Sequence, residues 1–204
     1  MVALLLPIKI MRSPILQILF TIGLIAALIF FSGFYPVALV NRRVILASDF
    51  YSNLAAAKKF YDSQKLYSNS SAADWESPEL KLLEKDIQSA VLQNLVEDRI
   101  LINKSGQVSG LKGLLFENLN QILSQVSGDL TNEGLANLYG WDIRTFKKVV
   151  LEPEARRKTF IEGFARQGRD FNEWFSREKR GANVKILLNG FVWNQNRGQV
   201  ESKR

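Results

Sequence analysis

The spacing of apolar and polar positions divides the chain into an apolar head, a body of helical periodicity and a short strand-like end. Residues 15–31 are almost wholly apolar, and no charge falls between Ser13 and Asn41. About 17–25 apolar residues suffice to cross a bilayer as a helix. The pattern therefore predicts a transmembrane anchor over residues 15–35. The run exceeds the apolar core of a signal peptide, and Phe30-Phe31-Ser32-Gly33-Phe34-Tyr35 is a poor cleavage site, so the anchor is expected to stay uncleaved. Lys9 and Arg12 precede it and Arg42 and Arg43 follow it. With the α-amino group counted, the balance places residues 1–14 in the cytoplasm and the body outside it, a single-pass arrangement.

Behind the anchor, Pro36 to Leu46 reads as one strand, rich in β-branched residues. Ser48 and Asp49 then open a helix with Phe50, Leu54, Ala57, Phe60 and Tyr61 on one stripe. Ser77-Pro78-Glu79 opens a long one, to about Asn103, with Leu80, Leu83, Ile87, Val91, Leu95 and Leu101 on its apolar face. A third spans about Gly110 to Val126. Thr131 and Asp142 each cap a shorter helix, Pro153 starts another, and Asp170 opens the last, which carries Phe171, Trp174 and Phe175. Residues 184–193 return to strand character around Asn189-Gly190. Two isolated strands at opposite ends of a helical body satisfy their backbones most simply by pairing with each other.

Composition removes whole classes of chemistry. The 204 residues include no Cys and no His, which excludes disulfides, thiol catalysis and any histidine acid–base scheme. The formal net charge of +7 sits at the ends. Arg177, Lys179, Arg180, Lys185, Arg197, Lys203 and Arg204 face only Glu178 and Glu201, while residues 37–175 balance. A balanced body does not track phosphates, so no nucleic acid is expected as partner. Phosphate loops, dinucleotide fingerprints and metal-binding motifs are absent from the sequence. Glu84, Asp86, Glu97 and Asp98 read as a solvated helix face, so no metal, no other cofactor and no small-molecule substrate is expected.

Val37-Ala-Leu-Val-Asn-Arg-Arg-Val-Ile-Leu-Ala-Ser-Asp-Phe50 resembles the opening of the SurA-type N-terminal chaperone domain, with Arg42 where that family has Gly. Residues 84–102 are similar to the family's long helix, and residues 138–153 to its helix ending in a Pro-led return to the core. The resemblance implies a fold that is mainly α, with a small two-stranded sheet pairing the segments near 37–46 and 184–193. The expected organisation is a cytoplasmic N-terminus, 1–14; a transmembrane anchor, 15–35; a helical chaperone-like domain, 36–194; and a basic tail, 195–204. Too little chain follows residue 166 for the parvulin isomerase domain that many members add, so no enzyme is expected.

The function that follows is a membrane-anchored, extracytoplasmic holdase. Its partners are unfolded or exported polypeptides, and the lipid bilayer through residues 15–35. Such a module needs exposed apolar surface with sequence-tolerant contacts, not reactive groups. Tyr139, Trp141, Phe146, Phe160, Phe164, Phe171, Trp174 and Phe175 are the candidate peptide-binding residues. The same rings at helical spacing serve equally as ordinary core. The alternative function is a structural or assembly protein of the cell envelope that docks on one fixed protein partner.

Overall fold

The computed structural model describes residues 18, 20, 21, 23, 24, 32–67, 73–106, 111–126 and 131–203. The chain forms two compact units, residues 1–35 and 36–204.

In the first unit the transmembrane expectation is corrected. Among the described residues no helix is long and apolar enough to cross a membrane. Ile18, Phe20, Thr21, Gly23 and Leu24 are helical, whereas Ser32 and Gly33 form a turn. Gly33 adopts φ 70°, and Phe34 beyond it is exposed. The rest of the 15–35 window and the whole of 1–14 lie outside the described residues. The expected single-pass membrane localisation is corrected with it, since no helix among the described residues supplies the span.

The second unit begins with a hairpin where one strand was expected. β1 (Pro36–Val40) and β2 (Arg43–Leu46) are antiparallel, joined by Asn41 and Arg42. Both turn residues have positive φ, 48° and 70°. That is the backbone a two-residue hairpin loop demands, and Asn-Gly is its usual sequence. Arg42 carries a Cβ in the left-handed region, which costs about 1 kcal/mol. Arg42→Gly is therefore expected to raise stability by about 0.5–1 kcal/mol, the glycine's extra unfolded-state freedom offsetting part of the gain. Chemical denaturation of the two proteins measures it; an equal or lower midpoint for the glycine variant contradicts the turn geometry.

The sheet also differs from the two-stranded one expected. β3 (Val184–Ile186) lies antiparallel against β1, pairing Val40 with Val184 and Ala38 with Ile186, so the order is β2-β1-β3. Gly190, at φ 84°, turns the chain into β4 (Phe191–Asn194), which pairs not with β1 but with β5 (Gln199–Ser202). Residues 195–204, expected as a basic tail, thus supply a strand. The physical reason is the pair of turns: each folds a segment back on itself and creates a new local partner.

The helices are α1 (Ala47–Tyr67), α2 (Pro78–Ser105), α3 (Leu111–Val126), α4 (Asn132–Tyr139), α5 (Ile143–Phe146), α6 (Glu152–Ala165) and α7 (Phe171–Gly181). Their starts follow capping chemistry. Thr131 Oγ1 accepts from the Gly134 amide at 3.0 Å, Asp142 Oδ1 from Thr145 at 2.7 Å, and Asp170 Oδ1 from Glu173 at 2.8 Å. The hydrogen bonds from Thr145 hold the Asp142 carboxyl below the usual carboxylate range. On α2 the expected Leu80 and Leu101 are buried, but between them the buried row is Leu92, Val96 and Ile100, while the expected Leu83, Ile87, Val91 and Leu95 are half-buried. Two neighbouring apolar rows were available, and the one facing the sheet and α6 was buried.

A π-helical turn, Lys147–Leu151, joins α5 to α6 with no break at Pro153. Proline has no N–H to give the carbonyl four residues back, that of Val149. Lengthening the hydrogen-bond step by one residue carries the helix past that gap: the Glu152 amide bonds the Lys147 carbonyl.

Candidate functional site

The eight candidate rings do not come together as one groove. They fall into two clusters, and the difference is burial. In the α6–α7 cluster, Phe160, Phe164, Phe171, Trp174 and Phe175 are all buried. Phe164 lies 4.6 Å from Trp174 between ring centroids, Phe160 stacks on Trp174 at 5.3 Å, and Phe171 on Phe175 at 5.3 Å. The last helix contributes three rings because Phe171, Trp174 and Phe175 share one stripe at i, i+3, i+4. Closed off from solvent, this cluster is core.

The second cluster is open. Tyr139 of α4 stacks on Phe60 of α1 at 5.3 Å with planes 3° apart, and on Trp141 at 5.8 Å. Phe146 tilts beneath Tyr139 at 5.5 Å and is buried with Leu135 and Leu151. Tyr139 and Trp141 are half-buried, and Phe60 remains 37% exposed. The result is a short ladder of rings, anchored at one end in the core and open at the other. Lys59 Nζ holds it across the α1–α4 seam by donating to the Ala136 carbonyl at 2.6 Å. Trp141 Nε1 donates to Ser52 Oγ at 3.2 Å. Phe60 was assigned to the core stripe of its helix; the α1 stripe leaves the core beyond Ala56, and only its tertiary neighbour Tyr139 marks it as part of a surface.

A polar cleft lies elsewhere, between α1, α2 and the π-helical turn. One lobe, about 320 Å³, is lined by Asn53, Asn94, Asp98, Val149, Val150 and Pro153 among others. A lobe of about 270 Å³ shares Asn53, Asn94, Asp98, Val149 and Pro153 and adds Asp49, Arg99 and Lys148. Of the acids expected on a solvated face, Asp86 is exposed, whereas Glu84 pairs with Lys58, and Glu97 and Asp98 are engaged. Glu97 accepts from Lys179 at 3.0 Å and from Arg157 at 3.2 Å, tying α2 to α7 and α6. Asp98 pairs with Arg156. Burial pushes the Asp98 carboxyl above its ordinary pKa, although the Arg156 guanidinium pulls it down. No group of three or more potential metal ligands occurs among the described residues.

The Asp98–Arg156 pair makes a pH-dependent prediction. Arg156→Met leaves a largely buried carboxylate without its cation, at an expected cost of about 2 kcal/mol near neutral pH. Asp98's folded pKa is raised, so the stability it contributes is present below its unfolded pKa and lost as pH rises through the folded one. Removing Arg156 raises that pKa further. The deficit of the variant relative to the parent is therefore expected to shrink as pH falls through it. Denaturation midpoints of both proteins across the acid range measure this; a pH-independent deficit contradicts the assignment.

Comparison with known proteins adds no relative: no family model matches the chain, and no curated protein or solved structure matches it.

Proposed function

We propose that residues 36–204 form a non-catalytic module that holds unfolded polypeptide segments on the Phe60–Tyr139–Trp141 ladder. One observation supports this reading above the rest. These rings are stacked and partly exposed, whereas the five rings of the α6–α7 cluster are used up in the core. Flat aromatic surface at low conformational cost gives contacts that tolerate many side chains. The resemblance to the SurA-type N-terminal domain belongs to the same proposal, as does the lack of isomerase activity. Of the sequence-derived candidates, Tyr139 and Trp141 keep a binding role, and Phe146 supports them from below.

The test is aggregation of a chemically denatured client enzyme on dilution, with and without the full chain. Suppression is expected at stoichiometric excess, and Phe60→Ala with Trp141→Ala is expected to remove most of it. No suppression by the parent chain ends the holdase reading. A single fixed partner recovered by crosslinking, without affinity for unfolded chains, would favour the assembly alternative.

A further inference from the structure

The turn between β3 and β4 leaves two reactive groups free side by side. Asn189 is exposed, and its side-chain amide has no hydrogen-bond partner among the described residues. Gly190 follows it at φ 84°, with nothing within 4 Å of where a Cβ would stand. The Gly190 N–H donates to no acceptor among the described residues. Other bonds hold the turn: the Gly190 carbonyl accepts from the Lys203 amide at 2.8 Å, and the Leu187 and Leu188 amides donate to the Val37 carbonyl at 2.8 and 3.1 Å. No other Asn-Gly pair occurs in the sequence. Asn172 and Asn196 are exposed too, but the amide after each is engaged. Glu173 donates to Asp170 Oδ1 at 2.8 Å, and Arg197 to Asn194 Oδ1 at 3.2 Å.

A free side-chain amide followed by a free backbone N–H is what an asparagine needs to lose its amide. The Gly190 nitrogen gives its proton to solvent base and attacks Asn189 Cγ. The N–Cγ bond forms, the Cγ–Nδ2 bond breaks, and Nδ2 leaves as ammonia. Water then opens the cyclic imide at either carbonyl. One opening returns aspartate with the main chain unchanged. The other gives isoaspartate, whose main chain runs through Cβ and Cγ and is one carbon longer. The reaction consumes only water. Glycine favours it because no Cβ crowds the ring closure. The unbonded N–H favours it because no hydrogen bond has to be given up first.

We propose that Asn189 is a modification site of the folded chain, deamidated by attack of the Gly190 nitrogen, and that isoaspartate there unseats the β4–β5 hairpin. The added carbon falls between two fixed points, the Leu187 and Leu188 amides on Val37 and the Gly190 carbonyl on Lys203, just before the buried Phe191. A longer main chain cannot keep both. Aspartate, at an exposed position and with the same backbone, leaves both in place.

The test incubates the full-length protein at neutral and at mildly alkaline pH. Samples are digested at mildly acid pH, and fragmentation mass spectrometry locates each converted residue and separates aspartate from isoaspartate. Asn189 is expected to convert first, and faster at the higher pH, while Asn172 and Asn196 stay intact over the same interval. Asn189→Gln, whose longer side chain closes a larger ring, is expected to show no conversion at this position. An intact Asn189 when Asn172 or Asn196 has converted, conversion only after unfolding in urea, or a rate indifferent to pH overturns the modification. The isoaspartyl form, separated by chromatography, is expected to melt about 2–4 °C or more below the parent, since loss of the Lys203 bond alone shifts the transition by that much. Freshly prepared Asn189→Asp is expected to melt with the parent. Equal melting of the isoaspartyl form and the parent, or an Asn189→Asp protein that melts as low as the isoaspartyl form, overturns the effect on the hairpin.

Discussion

Deleting residues 184–204 is expected to abolish cooperative unfolding. The loss is structural at three levels. β1 loses β3, its partner on the side away from β2, together with the bond from the Leu187 amide to the Val37 carbonyl at 2.8 Å. Val37, Ala38 and Val40, all essentially inaccessible, then face water on an open strand edge. The hairpin β4–β5 also leaves α2, where Gln93 accepts from the Val200 amide at 2.7 Å and Ser89 donates to its carbonyl at 3.3 Å. Phe191, Trp193 and Val200 are removed from the core. At about 1.5–3 kcal/mol for each buried side chain, those three alone account for roughly 5–9 kcal/mol. Domains of this kind have about 5–15 kcal/mol in total. The expected result is a broad, non-cooperative thermal profile by circular dichroism. A sharp transition within a few degrees of the parent would show that the C-terminal strands are dispensable.

Phe164→Ala is expected to cost about 3–5 kcal/mol, the range for emptying a well-packed aromatic site. Phe164 is 2% exposed and touches Trp174 and Phe171 at centroid separations of 4.6 and 6.2 Å. Arg169 covers it from the loop before α7, with its guanidinium 4.6 Å from the ring centroid. For a body of this size each kcal/mol shifts the melting temperature by about 2–4 °C, so a drop of roughly 10–15 °C is expected. Phe60→Ala removes the same atoms from a site 37% exposed and is expected to cost much less stability while removing client holding. Reciprocal results, with Phe164→Ala mild and Phe60→Ala severe, would mean that core and binding surface have been exchanged.

That contrast shows how far the site was legible. All eight candidate rings were visible as apolar periodicity, but periodicity says only that a ring faces something. Phe160 and Phe164 recur at i, i+4 and face α7; Tyr139 faces Phe60, seventy-nine positions earlier and on another helix. No local pattern distinguishes the two outcomes. Glu97 and Asp98 show the same limit with charge. Their spacing suits a solvated face, yet their cations Lys179, Arg157 and Arg156 come from helices far along the chain. Asn118, a buried amide that donates to Thr159 Oγ1 at 3.1 Å and Glu162 Oε2 at 3.0 Å, has no sequence signal of its own. Arg99 and the cleft around it were likewise invisible, because three separated elements form it.

The sequence by itself determined what is set within a few residues. Ser77, Thr131, Asp142 and Asp170 end their helices at the N-terminal side because a short oxygen-bearing side chain reaches its own backbone. The absence of Cys and His settled which chemistries the chain lacks. Tertiary structure alone decided which apolar row of α2 is buried, which aromatic cluster stays open, how many strands the two end segments form and whether the apolar head holds a membrane-length helix among its described residues. Capping energies act over one helical turn, whereas burial is a property of whatever surface arrives from the rest of the chain.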